Sequence, residues 1–484
     1  MLKIKKSSAW LSIPFLLFAT FFRFYNIYAF VTFLGDQGRD AIILKRIITL
    51  EHFPAIGAPS SVGGIFLGPF YYYLVAPFLL LFNFNPVGPA FGVAMLSLVG
   101  LACAYFILRK EVSNGTALIF LILATFSAVL TDLSRFSWNP NLLPFFSFFT
   151  LYFFYKTLTK SDYHWSFLFG MFFSFSVQLH YLALLMVFSM IIIFSYYLLQ
   201  KKLSKKDIIS VFLSIASFIL FSSPLILFDV RHQFLNSKNF ISLFSQKDVV
   251  SKSSFFSRFL ETNAAFYNHI FQISIHPYAA LLLSISILAA TIYIMRKNNN
   301  VLIMFHTVNM FLFIASFSTL NSFRHPHYYG SILLSFLVVV AYLLAFGITN
   351  RYWKWLLLTV VISAYCFLNL TQYHFLWTQG SYQIDRAQRI ANSIHTHIKA
   401  SPYQLASIPD TETDGHIRYF LEVQGKRPLP EDSHEEPVEL FVLCYTKCEV
   451  IANPQWQIAA FKNAKIDTIW KIENITIYKL IHAR

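Results

Sequence analysis

Asp36, Arg39 and Asp40 stand at i, i+3 and i+4 in the stretch LGDQGRDAIILKR, Leu34 to Arg46, directly after a long and nearly uncharged apolar run. On a helix that spacing gathers two carboxylates and a guanidinium on one face. A positioned carboxylate can take a proton from an attacking hydroxyl, and a neighbouring cation can meet charge that develops on a leaving group. The plainer reading makes Asp36 an N-cap after Gly35 and Arg39–Asp40 a surface ion pair. Ile43, Leu44, Ile47 and Ile48 fall on the other side, so a helix over 36–51 is expected to lie on a membrane surface and hold its charges just above the bilayer.

Polar groups recur in four later stretches: SRFSWNPN (Ser134 to Asn141), QLHY (Gln178 to Tyr181), FDVRHQF (Phe228 to Phe234) and SFRHPHYYG (Ser322 to Gly330). Each has an ordinary explanation when taken alone. Trp138, Tyr181, Tyr328 and Tyr329 suit an interfacial aromatic belt, and a lone histidine is usually just hydrogen-bonded. Their repetition at the outer ends of apolar runs is what points to a site, because ionisable groups at that depth are costly.

The elements that must position these residues follow from composition. The chain has 484 residues, 56% hydrophobic, 18% aromatic and only 13% charged, too apolar for a soluble protein of its size. A net charge of +15 could suit nucleic acid, but the basic residues sit in short clusters between apolar runs, the pattern of membrane orientation. No nucleic-acid partner is expected; the lipid bilayer is.

Apolar runs lie near residues 9–29, 89–108, 115–131, 141–158, 165–180, 182–200, 208–228, 277–295, 301–318, 329–348 and 355–371. These predict about eleven transmembrane helices, each covering ~30 Å of hydrocarbon. The weaker run 66–84, with Gly68, Pro69 and Pro77, reads as interfacial or re-entrant. Lys3, Lys5, Lys6, Arg109, Lys110, Lys156, Lys160, Lys201 to Lys206, Arg296, Lys297, Arg351 and Lys354 then share one side. By the positive-inside rule that side, with the N-terminus, is cytoplasmic, and Asp36 faces outward. The start lacks a small-residue cleavage site and is expected to stay as the first span. Arg23, just below the mouth of that span, is expected to snorkel outward.

The fold class expected is mainly α: a polytopic membrane helical bundle over 1–371 in the plasma (inner) membrane, with surface helices in outer loops 30–88 and 229–276. Residues 372–484 regain charge and predict a small extracytoplasmic α/β domain. Its elements are a helix from Asp385 to Lys399, a helix from Gly415 to Val423 stopped by Gly425, and strands from Glu439 to Tyr445 and Thr476 to Ile481. Cys444 and Cys448, four apart on the outer side, leave open a disulfide or free thiols; a metal site needs more ligands than are near. His395 and His397 point apart on a helix and make a poor metal pair. Cys103 and Cys366 read as packing residues within spans. Neither a P-loop nor a glycine-rich dinucleotide turn occurs, so no nucleotide chemistry is expected.

The order of Asp36, Gln37, Gly38 and Arg39, followed by Gly68, Pro69, Phe70, Tyr71 and Tyr72, resembles the GT-C membrane glycosyltransferases, specifically the protein O-mannosyltransferase and lipid A aminoarabinose transferase group. In that group an Asp-Glu-x-Arg-type motif opens the first outer loop, a surface helix follows, and a Pro-Pro-Leu-Phe-Tyr-like segment precedes the second span. This chain departs at Gln37, where the family often has an acid, and at Leu67, where it often has lysine. Arg135-Phe-Ser-Trp138-Asn139-Pro140 also stands in place of an Arg-x-x-Arg-Thr-Asp pattern. The resemblance implies an inverting transfer of sugar from a polyprenyl-phosphate carrier to an acceptor hydroxyl, with Asp36 as general base. It implies cationic contacts to phosphate from Arg324, His325 and His327, or from Arg39, Arg135 or Arg231. Further substrate contacts would come from Asp40, Asn139, His180 and Tyr181, and Tyr71, Tyr72 and Tyr328 would stack on sugar or line a lipid groove. No cofactor, metal or nucleotide is implied, and the acceptor stays open between protein, lipid and glycan. The alternatives are a transporter or lipid flippase with an outward-facing polar cavity, a polysaccharide polymerase or ligase, and a non-catalytic scaffold. A transporter would be expected to carry mid-span charges and paired broken helices, which are not evident.

Overall fold

Backbone inside hydrocarbon must satisfy its own N–H and C=O groups, and each of the eleven apolar runs contains a helix in the computed structural model. The structure describes residues 10–60, 64–160, 162–201, 204–245, 254–347 and 351–483. Lys3, Lys5, Lys6 and Lys202 of the basic clusters lie outside them. Among the described residues six helices are long and apolar enough to cross a membrane: Val87–Glu111, Tyr181–Gln200, Lys205–Arg231, Pro277–Asn298, Pro326–Phe346 and Tyr352–Leu370. The other five runs give helices of 12 to 17 residues. The protein is a multi-pass membrane protein. Phe70–Leu81, in the run expected to be interfacial, is a 12-residue helix, the same length as Ile13–Phe24 and Asn114–Thr125 within two of the expected spans.

The chain forms two compact units. The first comprises residues 1–25, 54–71 and 93–378. At its centre the helix Gly330–Phe346 is buried on nearly every face, against Asn114–Thr125, Leu143–Thr159 and Val301–Phe317. Tyr163–Leu179 packs closely on Lys205–Arg231, because a Cβ at Gly170 would lie only 2.1 Å from the Ser214 carbonyl. Such approaches suit membrane helices, which associate through small residues. At one end of this unit Lys156 pairs with Glu111 at 2.5 Å and Asn300 donates to the Glu111 carbonyl at 3.0 Å. Arg23 does not snorkel: it is fully buried, donating from Nε to Ser97 Oγ (3.1 Å) and from Nη1 to the Ala19 carbonyl (3.2 Å). An inward Ser97 gives the guanidinium a partner that the sequence could not indicate. Cys103 is exposed and is not a packing residue; Cys366 is half-buried.

The second unit comprises residues 26–53, 72–92 and 379–484. Four strands are ordered β1-β2-β4-β3: β1 (Tyr403–Ile408), β2 (Glu439–Cys444), β3 (Ala464–Ile472) and β4 (Ile475–His482). β1 runs parallel to β2, and β4 pairs antiparallel with both β2 and β3. A core of Ala406, Leu440, Val442, Val450, Ile458, Phe461 and Leu480 covers one side of the sheet. The helix Gln383–His397 meets β3, with Trp470 Nε1 donating to Ser393 Oγ at 2.8 Å and His397 stacked on the Trp470 ring at 4.0 Å. His397 is thus spent on packing. Cys444 and Cys448 form a disulfide where β2 ends.

Candidate functional site

The stretch that opens the chain's chemistry is a helix from Gly35 to Ile48, here called the Asp36 helix. Gln37 Oε1 accepts the Leu34 N–H at 3.2 Å and closes its first turn. Leu34 is the N-cap and Asp36 lies inside the first turn, where its charge complements the helix dipole; Lys45 and Arg46 do the same at the other end. Gly35, Gly38, Ala41, Leu44 and Ile47 form its buried stripe, facing the helix Gly415–Val423. Contact is backbone to backbone: a Cβ at Gly415 would lie 2.4 Å from the Gly35 carbonyl. The spacing of Gly35 and Gly38 therefore serves helix crossing, a small-residue signal that the charges beside it obscured. The lead-in is held too, since Phe33 N–H donates to Gln383 Oε1 at 2.8 Å and Tyr28 bonds to Asp385.

On this frame the two aspartates have different surroundings. Asp36 has a side chain 55% exposed and pairs with Arg39 Nη1 at 2.8 Å. Asp40 is 1% exposed. Its Oδ1 accepts from Arg39 Nε (3.0 Å), Arg39 Nη2 (2.8 Å) and the Tyr72 hydroxyl (2.9 Å). Its Oδ2 is buried with no partner among the described residues. Burial raises the Asp40 carboxyl above its ordinary range, with Arg39 pulling the other way. Burial opposes the Arg39 charge, yet Asp40, Tyr72 and Asp36 hold that group above its ordinary value. Arg39 is thus a fixed cation spanning one exposed and one buried carboxylate.

Asp36 and Arg39 line an open cleft of about 410 Å³, together with Ile42, Ile43, Arg46, Thr413, Arg418, Glu422 and Glu431. The last four escaped the sequence reading. Glu422, four residues after Arg418 on an otherwise apolar helix, was the available signal. Its carboxylate accepts from Arg46 at 2.9 and 2.7 Å and from Arg427 at 2.8 Å, tying the end of the Asp36 helix to the Gly415 helix. Arg418 donates to Asp414 (2.6 Å), Gln404 Oε1 (3.0 Å) and the Leu405 and Leu429 carbonyls (2.9 and 2.6 Å).

The remaining candidates lie in the first unit, where several come together. His327 sits 4.6 Å from the Trp138 ring, 5.8 Å from His180, 5.6 Å from His325 and 4.3 Å from Tyr328, centroid to centroid. Three short 3₁₀ turns before long helices (Asn139–Leu142, Tyr181–Leu185 and Pro326–Tyr329) position this cluster: Trp138, His180 and His325 each cap a turn, and His327 and Tyr328 lie within the third. Asn139 is 1% exposed, and neither polar atom of its amide has a partner among the described residues. Buried groups left in that state commonly mark places where a ligand or water belongs.

Other candidates are committed elsewhere. Arg135 donates to the Phe22 and Tyr25 carbonyls at 2.6 and 2.9 Å and covers the Phe375 ring at 3.8 Å. Arg324 donates to Thr262 Oγ1 (2.9 Å), the Leu320 carbonyl (2.9 Å) and the Ser322 carbonyl. Tyr71 shares a 2.7 Å hydrogen bond with Ser137. Tyr181 packs on Phe240 at 6.0 Å, and Arg231 is exposed at the end of its helix. Among the described residues no group of three or more His, Cys, Asp or Glu side chains is placed to hold a metal ion.

Residues 67–227 match the model of the dolichyl-phosphate-mannose-protein mannosyltransferase family. No curated protein matches the chain. Among solved structures, ArnT from Cupriavidus metallidurans in the apo state aligns with a TM-score of 0.63 at 12% identity, covering 98% of each chain. The same protein bound to undecaprenyl phosphate aligns at 0.60, again with 12% identity and 98% of each chain. The Archaeoglobus fulgidus oligosaccharyltransferase tethered to an acceptor peptide aligns at 0.56 and 12% identity, over 88% of this chain and 64% of that one.

Proposed function

With a GT-C membrane glycosyltransferase fold and a mannosyltransferase-family segment as premise, we propose that this chain moves a sugar from a polyprenyl-phosphate carrier to an acceptor hydroxyl, with inversion. In that step the acceptor oxygen bonds to the anomeric carbon, its proton passes to the Asp36 carboxylate, and the bond from the anomeric carbon to phosphate oxygen breaks. Phosphate is already a good leaving group, so a fixed cation suffices to receive its charge and no general acid is needed. Arg39 is the cation nearest the base. Within the first unit, the side chains of His180, His325, His327, Tyr328 and Asn139 have the chemistry to contact phosphate or sugar.

The observation that carries this reading is the division of labour between the two aspartates: Asp36 is exposed at a polar cleft, while Asp40 is buried and committed to Arg39 and Tyr72. In this proposal the N-terminus is cytoplasmic and residues 372–484 face outward, which puts the cleft where lipid-linked sugars are used. The test is Asp36→Asn in purified protein. Donor binding should persist and sugar transfer should fall by about 10²–10⁴-fold; wild-type turnover in that variant would reject Asp36 as the base.

A further inference from the structure

Three cavities in the second unit share walls. The cleft beside Asp36 shares Thr413, Arg418 and Glu431 with a smaller cavity of about 50 Å³ at the C-terminal end of β1. That cavity shares Gln457 with a third, of about 220 Å³, lined by Trp456 and His434. The three cavities thus adjoin in series from Asp36 to Trp456, the middle one at the C-terminal end of β1, where open α/β sheets often take ligands.

The chemistry of their walls suits sugar rings. Carboxylates and amides can pair with neighbouring hydroxyls, and Trp456, 44% exposed, offers a flat apolar face beside them. In the middle cavity Ser407 is only 6% exposed, yet its Oγ has no partner among the described residues. A buried hydroxyl in that position is satisfied by a polar group arriving in the cavity. Charge narrows the choice further. In a chain of net charge +15, the middle and far cavities carry six carboxylates, Asp410, Glu412, Asp414, Glu431, Glu435 and Glu436, against Arg418 and Lys462, with His434 beside them. Arg418, the cation on the middle wall, is occupied by Asp414 and two backbone carbonyls. A phosphorylated lipid headgroup would meet repulsion there; an uncharged glycan would not.

We propose that these adjoining cavities together form the acceptor groove and that the acceptor is an uncharged oligosaccharide, held along Trp456, Gln457 and Ser407 so that its terminal hydroxyl reaches Asp36. The assignment rests on Asp36 as base and adds the acceptor class.

The experiment uses the full chain in detergent micelles and reducing-end-labelled chitohexaose, maltohexaose and mannohexaose, each beside its disaccharide. At least one hexasaccharide should bind about tenfold more tightly than its disaccharide, a length advantage read directly as a Kd ratio. Trp456→Ala and Gln457→Ala should each abolish that advantage, and Asp36→Asn should keep it. If Trp456→Ala does not fold, Gln457→Ala and Ser407→Ala give the same reading. No hexasaccharide binding, equal binding of long and short sugars, an undiminished advantage in the variants, or displacement by an oligolysine peptide but not by free sugar overturns the groove. Length-independent transfer that still depends on Asp36 sinks the groove alone, whereas transfer that survives Asp36→Asn sinks the underlying reaction.

Discussion

Gly38 and His416 touch backbone to backbone: a Cβ at position 38 would lie 2.1 Å from the His416 amide nitrogen. Gly38→Ala must therefore push two helices apart, costing about 1–3 kcal/mol, only partly offset by roughly 1 kcal/mol of helix propensity. At Gly35 the added carbon would lie 2.4 Å from Thr413 Cβ, which no χ1 rotation moves, so that contact must open as well. Thermal unfolding in detergent should place both Gly38→Ala and Gly35→Ala below wild type; a wild-type melting temperature in Gly38→Ala would contradict the backbone contact.

Asp36→Asn and Asp40→Asn should fail in different ways. The first changes an exposed carboxylate, so the melting temperature should hold while transfer collapses. The second removes charge from a buried acceptor of three hydrogen bonds, each of which is worth about 1.5–3 kcal/mol when a charged group takes part. Its melting temperature should fall along with its activity. Equal melting curves for the two variants would contradict this division.

Glu422 is the acceptor shared by Arg46 and Arg427, with Lys45 3.5 Å away. Burial pushes its carboxyl up, but the bonds and charges of Arg46, Arg427 and Lys45 outweigh that and hold it below the ordinary glutamate range. A depressed folded value means that the stabilisation is present above the unfolded pKa and fades as pH falls through the folded one. Glu422→Ala should destabilise the second unit by about 1–3 kcal/mol at pH 7, less than a fully buried pair because both arginines are partly exposed. The gap from wild type should narrow in denaturation curves taken below pH 4.

His416 adds a second acid-sensitive element. Burial pushes its imidazole down to about 4, and its Nδ1 has no partner among the described residues. The neutral ring is compatible with the fold, so this stability is complete above the unfolded pKa of ~6.5 and declines as pH falls towards the folded value. Wild-type protein should lose on the order of 3 kcal/mol between pH 7 and 4 from this group alone. His416→Gln should flatten that slope in melting curves recorded across the same range.

Much of the membrane portion was legible because apolar run length is a direct consequence of bilayer thickness. The helix Gly415–Val423 lies where its amphipathic spacing predicts, and Glu439–Cys444 and Ile475–His482 match the expected strands to within a residue or so. β1 was missed because YQLASI is buried on both faces and lacks alternation, as in parallel strands. β3 was missed although exposure alternates along AKIDTIWKI; Thr468 at a half-covered position and Ile469 at an exposed one break the apolar–polar period. At the site, the face shared by Asp36, Arg39 and Asp40 was readable from spacing. Which aspartate would be exposed was not, since that depends on Tyr72, remote in sequence. The same limit applies to Arg135 and Arg324, whose partners are mostly backbone carbonyls that no side-chain pattern records.

The second unit draws on three stretches of chain, and this bears on how it can be handled. Cut free at residue 379, its sheet would keep its own strands but lose the Asp36 helix against which Gly415 is shaved bare, and Tyr419 would lose the Phe84 carbonyl it meets at 2.5 Å. A surrogate for screening ligands should therefore splice in residues 26–53 and 72–92; a simple C-terminal truncation product would arrive with an open seam.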